Sequence, residues 1–172
     1  MDLRLAGFDD AEAIRQIYNR EVVESTVVFD LVPRTLEEQR QWQDDRSGAH
    51  AVVVAVDAGE VVGFGSLSAY RDRPAYRTTV EDSVYVHRDH QGRGVGRAVL
   101  SELIDVATTR GFHAVLARIV GHNEASIALH RRLGFAPAGV EREVGRKFNR
   151  WLDVVVMELL LSTDEPGTTN RG

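Results

Sequence analysis

A mixed α/β (α+β) domain is what the sequence predicts, and three observations predict it. Apolar residues switch repeatedly between a period of two and a period of about 3.6, in the order βααβββαβαββ. A glycine-rich loop stands between one predicted strand and a predicted amphipathic helix. A chain of 172 residues, 43% hydrophobic and 27% charged, is long enough and ordinary enough in composition to bury one substantial core.

The elements follow in order. Leu3 and Leu5 start a short strand. Asp9-Asp10 then offers an N-cap to a helix in which Ala13, Ile14, Ile17, Tyr18 and Val22 recur at helical spacing. Residues 25–33 mix β-branched residues with a proline and read as a loop. Thr35 with Glu38 forms a capping-box pattern, predicting a second helix that ends near Ser47-Gly48. Residues 51–56 and 61–69 read as strands joined by a turn at 57–60. After the polar stretch 71–78, residues 79–87 fit a strand with Val80, Val84 and Val86 on one face and Glu81, Ser83 and Tyr85 on the other. The glycine loop leads into a helix carrying Val95, Val99, Leu103 and Val106, stopped by Gly111. A strand at 114–120, a helix at 123–132 closed by Gly134, and strands at 135–140 and 151–161 complete the order. The domain is expected to span 1–161, and 162–172, with almost nothing to bury, to be a flexible tail.

Composition excludes several classes. The formal charge is −5, opposite to the footprint of a nonspecific nucleic-acid binder. The absence of cysteine removes disulfides, thiolate zinc sites and a cysteine nucleophile together, and is compatible with a reducing compartment. His87-x-x-His90 is poor support for a metal, and no helix-borne His-Glu-x-x-His occurs. No apolar stretch approaches the ~20 residues of a membrane span. A cytoplasmic protein without nucleic-acid, membrane or metal partners is the expectation.

In the segment Gln91-Gly92-Arg93-Gly94-Val95-Gly96, a glycine loop enters a helix. Such a loop exposes backbone N–H groups beside the positive end of the helix dipole, a geometry suited to phosphate oxygens. Arg88, Arg93 and Arg97 add local positive charge. Arg97 stands where the dinucleotide fingerprint wants Gly or Ala, and no Gly-Lys-Ser/Thr is present. Taken alone, the glycines serve equally well as a flexible turn.

The spacing Gln91-x-x-Gly94-x-Gly96 resembles the pyrophosphate-binding signature of the GNAT-type N-acetyltransferases. The strand before it, the helix after it, Asn123 and Leu133-Gly134-Phe135 follow in the same order. More narrowly, Ile17-Tyr18-Asn19, the segment from Thr79 through Glu81 to Val86, the one from Ser126 to His130, and Val144-Gly145-x-Lys147-Phe148-x-x-Trp151-x-Asp153-Val154 are similar to the phosphinothricin and methionine sulfoximine acetyltransferase branch.

The resemblance implies the GNAT fold, a mostly antiparallel sheet with a splayed parallel strand pair flanked by helices. It implies acetyl-CoA as co-substrate. Backbone groups of Val84, Tyr85 and Val86 would address the pantetheine and thioester, Gln91, Gly92, Arg93, Gly94, Val95 and Gly96 the pyrophosphate, and Asn123 the carrier as well. Glu81 falls where the family places its general base. His130, where many relatives carry tyrosine, would protonate the departing thiolate. From residue pattern alone, Glu81 also reads as a solvated strand residue, His130 as a packed histidine and Asn123 as a helix N-cap.

Phe29, Arg71, Arg73, Tyr76 and Glu81 correspond to the acceptor site. Guanidinium groups suit carboxylate or phosphinate oxygens. The implied acceptor is the α-amine of a small amino-acid analogue, and the implied assembly a homodimer. Lys147, Phe148 and Trp151 would line the site or a dimer contact, and Asn149 replaces a common glycine, leaving that turn open. Acetylation of a peptide or protein amine, and a non-catalytic coenzyme A-binding module, are the competing readings.

Overall fold

The computed structural model describes residues 1–162. The tail expected at 162–172 lies, Ser162 apart, outside the described residues. The elements are β1 (Asp2–Leu5), α1 (Ala11–Glu24), α2 (Leu36–Asp44), β2 (Ala51–Asp57), β3 (Glu60–Ala69), β4 (Thr79–Val86), α3 (Val95–Thr109), β5 (Ala114–Val120), α4 (Glu124–Arg132), β6 (Ala136–Lys147) and β7 (Arg150–Leu160). One seven-stranded sheet runs β1-β2-β3-β4-β5-β7-β6. Its strand pairs are antiparallel except β4 with β5. The mixed α/β class and the βααβββαβαββ order are borne out.

Each face of the sheet has its own core. Val80, Val95, Val99, Leu100, Leu103 and Ile127 put α3 and α4 on one face. Ile14, Ile17, Tyr18, Val22, Phe64 and the half-buried Trp42 put α1 and α2 on the other. The expected parity of β4 holds: Val84 and Val86 pack with the α3 side, and Tyr85 stacks on Phe64 at 5.0 Å and meets the Tyr18 ring edge at 5.3 Å. Close contact between α3 and β3 depends on Gly63 and Gly65, where an added Cβ would fall 2.7 Å from Val95 and from Val99 respectively. That approach brings the start of α3 to the end of β4.

Three expectations are corrected. Asp10 does not cap the first helix through its side chain; a 3-10 turn, Phe8–Asp10, intervenes, and its carboxylate takes bonds from Arg4 and the Gly7 amide. The predicted Thr35–Glu38 capping box forms, but α2 stops at Asp44, short of Ser47-Gly48. The strand expected at 135–140 continues to Lys147, because register shifts after Pro137 and Glu141 carry the chain on as an irregular edge. Phe148 and Asn149 then turn it at φ 48° and 57°, a left-handed pair that asparagine tolerates better than most residues.

Candidate functional site

The β4–β5 pair is short. It begins at Thr79 with Ala114 and ends at Asp82 with Ala117, whereas β4 stays paired with β3 to Val86 and β5 with β7 to Val120. Beyond Asp82 and Ala117 the two strands part. His87 donates its amide to Val62 at 2.9 Å, and Gly121 donates to Asp153 at 2.9 Å. Main-chain groups alternate sides along a strand, so Tyr85 faces β3 and Ile119 faces β7, while Val84, Val86, Arg118 and Val120 turn their N–H and C=O groups into the gap. Tyr85 is therefore separated from its two neighbours: its backbone belongs to the ladder and its ring to the core.

The gap opens into a cleft of about 140 Å³ lined by Glu81, Asp82, Ser83, Val84, Tyr85, residues 117–120, Asn123, Ser126, His130 and Val27. Glu81 is half-buried on the α1 face. Burial pushes its carboxyl above the usual range, Arg118 opposes that rise, and the charges of Asp82 and Glu141 add to it. Arg118 itself is gripped by Glu141, with Nη1 donating to Oε1 at 2.8 Å and Nη2 to Oε2.

His130 and Asp82 lie on the α3 and α4 side. The imidazole is 2% exposed and Asp82 7%, and His130 Nε2 sits 3.0 Å from Asp82 Oδ1. Nδ1 lies 2.8 Å from the Ser126 carbonyl oxygen, which only accepts, so Nδ1 carries a proton. Asn123 caps α4, accepting from the Ser126 amide at 3.2 Å, and lines the cleft as well.

At the far end of β4, Gly92 and Gly94 hold φ 74° and 85° with open space beside them, a conformation that favours glycine. The first helical bond of α3 joins the Ala98 amide to the Gly94 carbonyl at 3.0 Å, leaving the amides of Val95, Gly96 and Arg97 at the helix start. Arg93 and Arg97 are exposed there. Arg88 is committed elsewhere, to Glu21 at 2.9 Å and to Glu24, so it adds no free charge to the loop.

Of the expected acceptor residues, Glu81 lines the cleft, whereas Phe29, Arg71, Arg73 and Tyr76 stand outside its lining. Arg71 lies over the Tyr70 and Tyr76 rings at 5.0 and 5.9 Å, and Arg73 precedes the 3-10 turn Pro74–Tyr76. Phe29 is 41% exposed and packs on Gly145, where a Cβ would strike its ring. Lys147 is buried and donates to the Val28 carbonyl at 2.7 Å, so the β6–β7 hairpin pins the 25–33 loop. Phe148 and Trp151 are exposed at 55% and 60%. Asp82 and Arg118 were not anticipated. Arg118 is the single charged residue of β5, and Asp82 stands on the face of β4 that otherwise carries Val80, Val84 and Val86, the signal that marks them.

The sequence profile described as the Acetyltransferase (GNAT) family matches residues 11–135. The chain belongs to the GNAT acetyltransferase family. One GNAT relative, the L-methionine sulfoximine/L-methionine sulfone acetyltransferase of Pseudomonas aeruginosa, is 42% identical over 92% of this chain and 94% of its own. A solved phosphinothricin acetyltransferase of the GNAT superfamily from Sinorhizobium meliloti, in complex with acetyl-CoA, superposes with TM-score 0.90 at 38% identity, covering 93% of this chain and 88% of that one. A ribosomal-protein-alanine N-acetyltransferase from Brucella melitensis superposes with TM-score 0.92 at 38% identity, over 94% and 100%. The protein is an acetyl-CoA-dependent acyltransferase with the GNAT fold. Among the described residues, no group of three or more His, Asp or Glu is placed to hold a metal ion, and no helix is long and apolar enough to cross a membrane.

Proposed function

We propose that this GNAT enzyme moves an acetyl group from acetyl-CoA to the α-amine of a small amino-acid analogue of the phosphinothricin or methionine sulfoximine kind. The observation that carries the reading is the parted β4–β5 gap, with unpaired main-chain groups on both walls and a half-buried carboxylate, Glu81, at its head. The pantetheine arm takes backbone bonds from Val84 and Val86, and the diphosphate takes the loop amides from Gln91 to Gly96. Asn123 borders the same path.

Chemistry then follows from proton balance. The nitrogen lone pair of the neutral amine attacks the thioester carbon, and Glu81, directly or through a water, takes the proton that this nitrogen loses as the amide forms. The carbonyl oxygen gains charge, which the Val86 N–H stabilises, a contribution of ~3–4 kcal/mol in enzymes with comparable donors. The C–S bond breaks with its electron pair on sulfur, and the thiolate takes a proton from the His130 side of the cleft. Arg71, Arg73, Tyr76 and Phe29 form the outer acceptor site, meeting the acid group and side chain of the analogue. A homodimer is part of this reading.

The resemblance to a ribosomal-protein-alanine N-acetyltransferase favours one second reading, acetylation of a peptide N-terminus. A steady-state screen of phosphinothricin, methionine sulfoximine, methionine sulfone and short alanine-started peptides at fixed acetyl-CoA separates the two. High kcat/KM for the amino-acid analogues is expected; comparable values for peptides overturn the small-molecule reading.

A further inference from the structure

Asp82 is buried, charged by type, and placed where β4 and β5 separate. One oxygen, Oδ1, meets His130 Nε2 at 3.0 Å; the other, Oδ2, is buried without a hydrogen-bond partner among the described residues. A purely structural carboxylate in the same chain looks different: Asp10 takes two bonds from Arg4 and one from the Gly7 amide. Asp82 has been left with an open acceptor on the wall of a ligand cleft.

The hydrogen-bond pattern around His130 leaves little choice of proton positions. Since Ser126 C=O fixes a proton on Nδ1, Nε2 and Asp82 Oδ1 approach each other only if one proton lies between them. Two bare lone pairs at 3.0 Å would repel. The two side chains hold that proton jointly, as imidazolium with carboxylate or as imidazole with carboxylic acid, and titrate as one unit. The Phe135 ring stands edge-on to the imidazole at 4.9 Å and shields it from water.

We propose that Asp82 is a positioning residue of the acetyl-transfer site: it locks the His130 ring and keeps a shared proton at the cleft wall, so the departing thiolate is protonated by the Asp82–His130 pair and not by a free imidazole. This deepens the acetyl-transfer reading and rests on it. In the step itself the C–S bond breaks, sulfur keeps the electron pair, and an S–H bond forms with the pair's shared proton. The pair is left as Nδ1-protonated imidazole facing a carboxylate. It recovers its proton from the one the amine surrendered to Glu81 and solvent.

The electrostatics agree with the geometry. Burial disfavours imidazolium, but the bond and charge of Asp82 and the Ser126 carbonyl outweigh it, so the His130 pKa rises. Burial also raises Asp82, against the pull of His130. The raised His130 pKa means that the pair retains its proton to higher pH than a free imidazole, and the rise of Asp82 acts in the same direction. Asp82 is the charged partner facing His130, and Glu81 and Tyr85, on the opposite face of β4, are titratable groups that also feel Asp82.

The test combines ¹⁵N NMR of the His130 ring in the full-length protein without acetyl-CoA, and the pH profile of kcat, for wild type and Asp82→Asn. Asparagine keeps a donor opposite Nε2 but shares no proton. In the wild type, both ring nitrogens should read as protonated or proton-sharing well above the ~6.5 of an ordinary imidazole. In Asp82→Asn, His130 should titrate lower, the alkaline fall of kcat should move down with it, and kcat at pH 8 should drop by up to ~100-fold, the lower end for acid–base catalysis. KM for acetyl-CoA should not change. A wild-type His130 that titrates as an ordinary imidazole overturns the proposal, and needs no variant to fold; so does an unmoved alkaline limb in Asp82→Asn. Failure of the broader reading is separate: wild type that does not bind acetyl-CoA by calorimetry sinks the acetyl-transfer assignment and leaves the NMR result standing.

Discussion

Burial lifts the Glu81 pKa and Arg118 pulls it back, so in the proposed mechanism the two residues together set the pH at which the base becomes available. Glu81→Gln should lower kcat by roughly 100- to 10,000-fold, as expected for loss of a general base, with acetyl-CoA affinity by calorimetry unchanged. Arg118→Met removes the opposing charge and leaves burial in command. The folded-state Glu81 pKa then rises, a higher pH is needed to ionise it, and the acid limb of kcat/KM should move to higher pH. An unmoved limb would mean that a different group is the base. The face of Glu81 was legible in sequence because strand parity set it apart from Val80, Val84 and Val86, while its reading as a base came from the family resemblance. The partners that give Asp82 and Arg118 their meaning lie 48 and 23 residues away, at a separation no local pattern can encode.

At the scale of elements, the site is the consequence of two neighbours pulling β4 and β5 apart. β3 holds one strand to Val86, β7 holds the other to Val120, and the right-handed twist of a sheet carries them away from each other once their own pairing stops. The glycine loop then places the start of α3 beside the opening. Gly94→Val forces a β-branched residue to φ 85°, a strain of ~1–3 kcal/mol relieved by leaving that conformation. Acetyl-CoA binding should weaken about 10- to 100-fold by calorimetry, the same energy expressed as affinity. Undiminished affinity would detach the loop from the carrier site. Loop, strand and helix were all readable here, since glycine spacing and helical period are local. The β6 extension was not: bulges break the period of two, and its residues are largely exposed, so the apolar pattern had nothing to register.

For the whole molecule, a charge of −5 coexists with a local cationic rim at Arg93 and Arg97, and part of its stability rests on ties between successive elements. One such tie fastens the entry to α1 onto β1: Asp10 accepts from Arg4 at 2.6 and 2.8 Å and from the Gly7 amide at 2.7 Å, and the Arg4 bonds foremost hold its pKa below the ordinary Asp value. A depressed folded-state pKa contributes stability that is present above the unfolded value and is lost as pH falls through the folded one. Asp10→Asn should therefore cost about 1–2 kcal/mol in urea unfolding at neutral pH, discounted because Arg4 is half-exposed, and the gap to wild type should close in acid. A gap independent of pH would assign the loss to packing. By itself the sequence determined the element order, the two faces of β4, the glycine loop and the position of Glu81, because periodicity, turn chemistry and helix starts act over a few residues. Only the tertiary structure decided that the Tyr85 ring packs against the core, that Arg88 serves α1, that Val84 and Val86 face an open gap, and that Asp82 and His130 meet at 3.0 Å. Those outcomes depend on which strand pairs with which and where the pairing ends, a balance of contacts summed over the whole sheet.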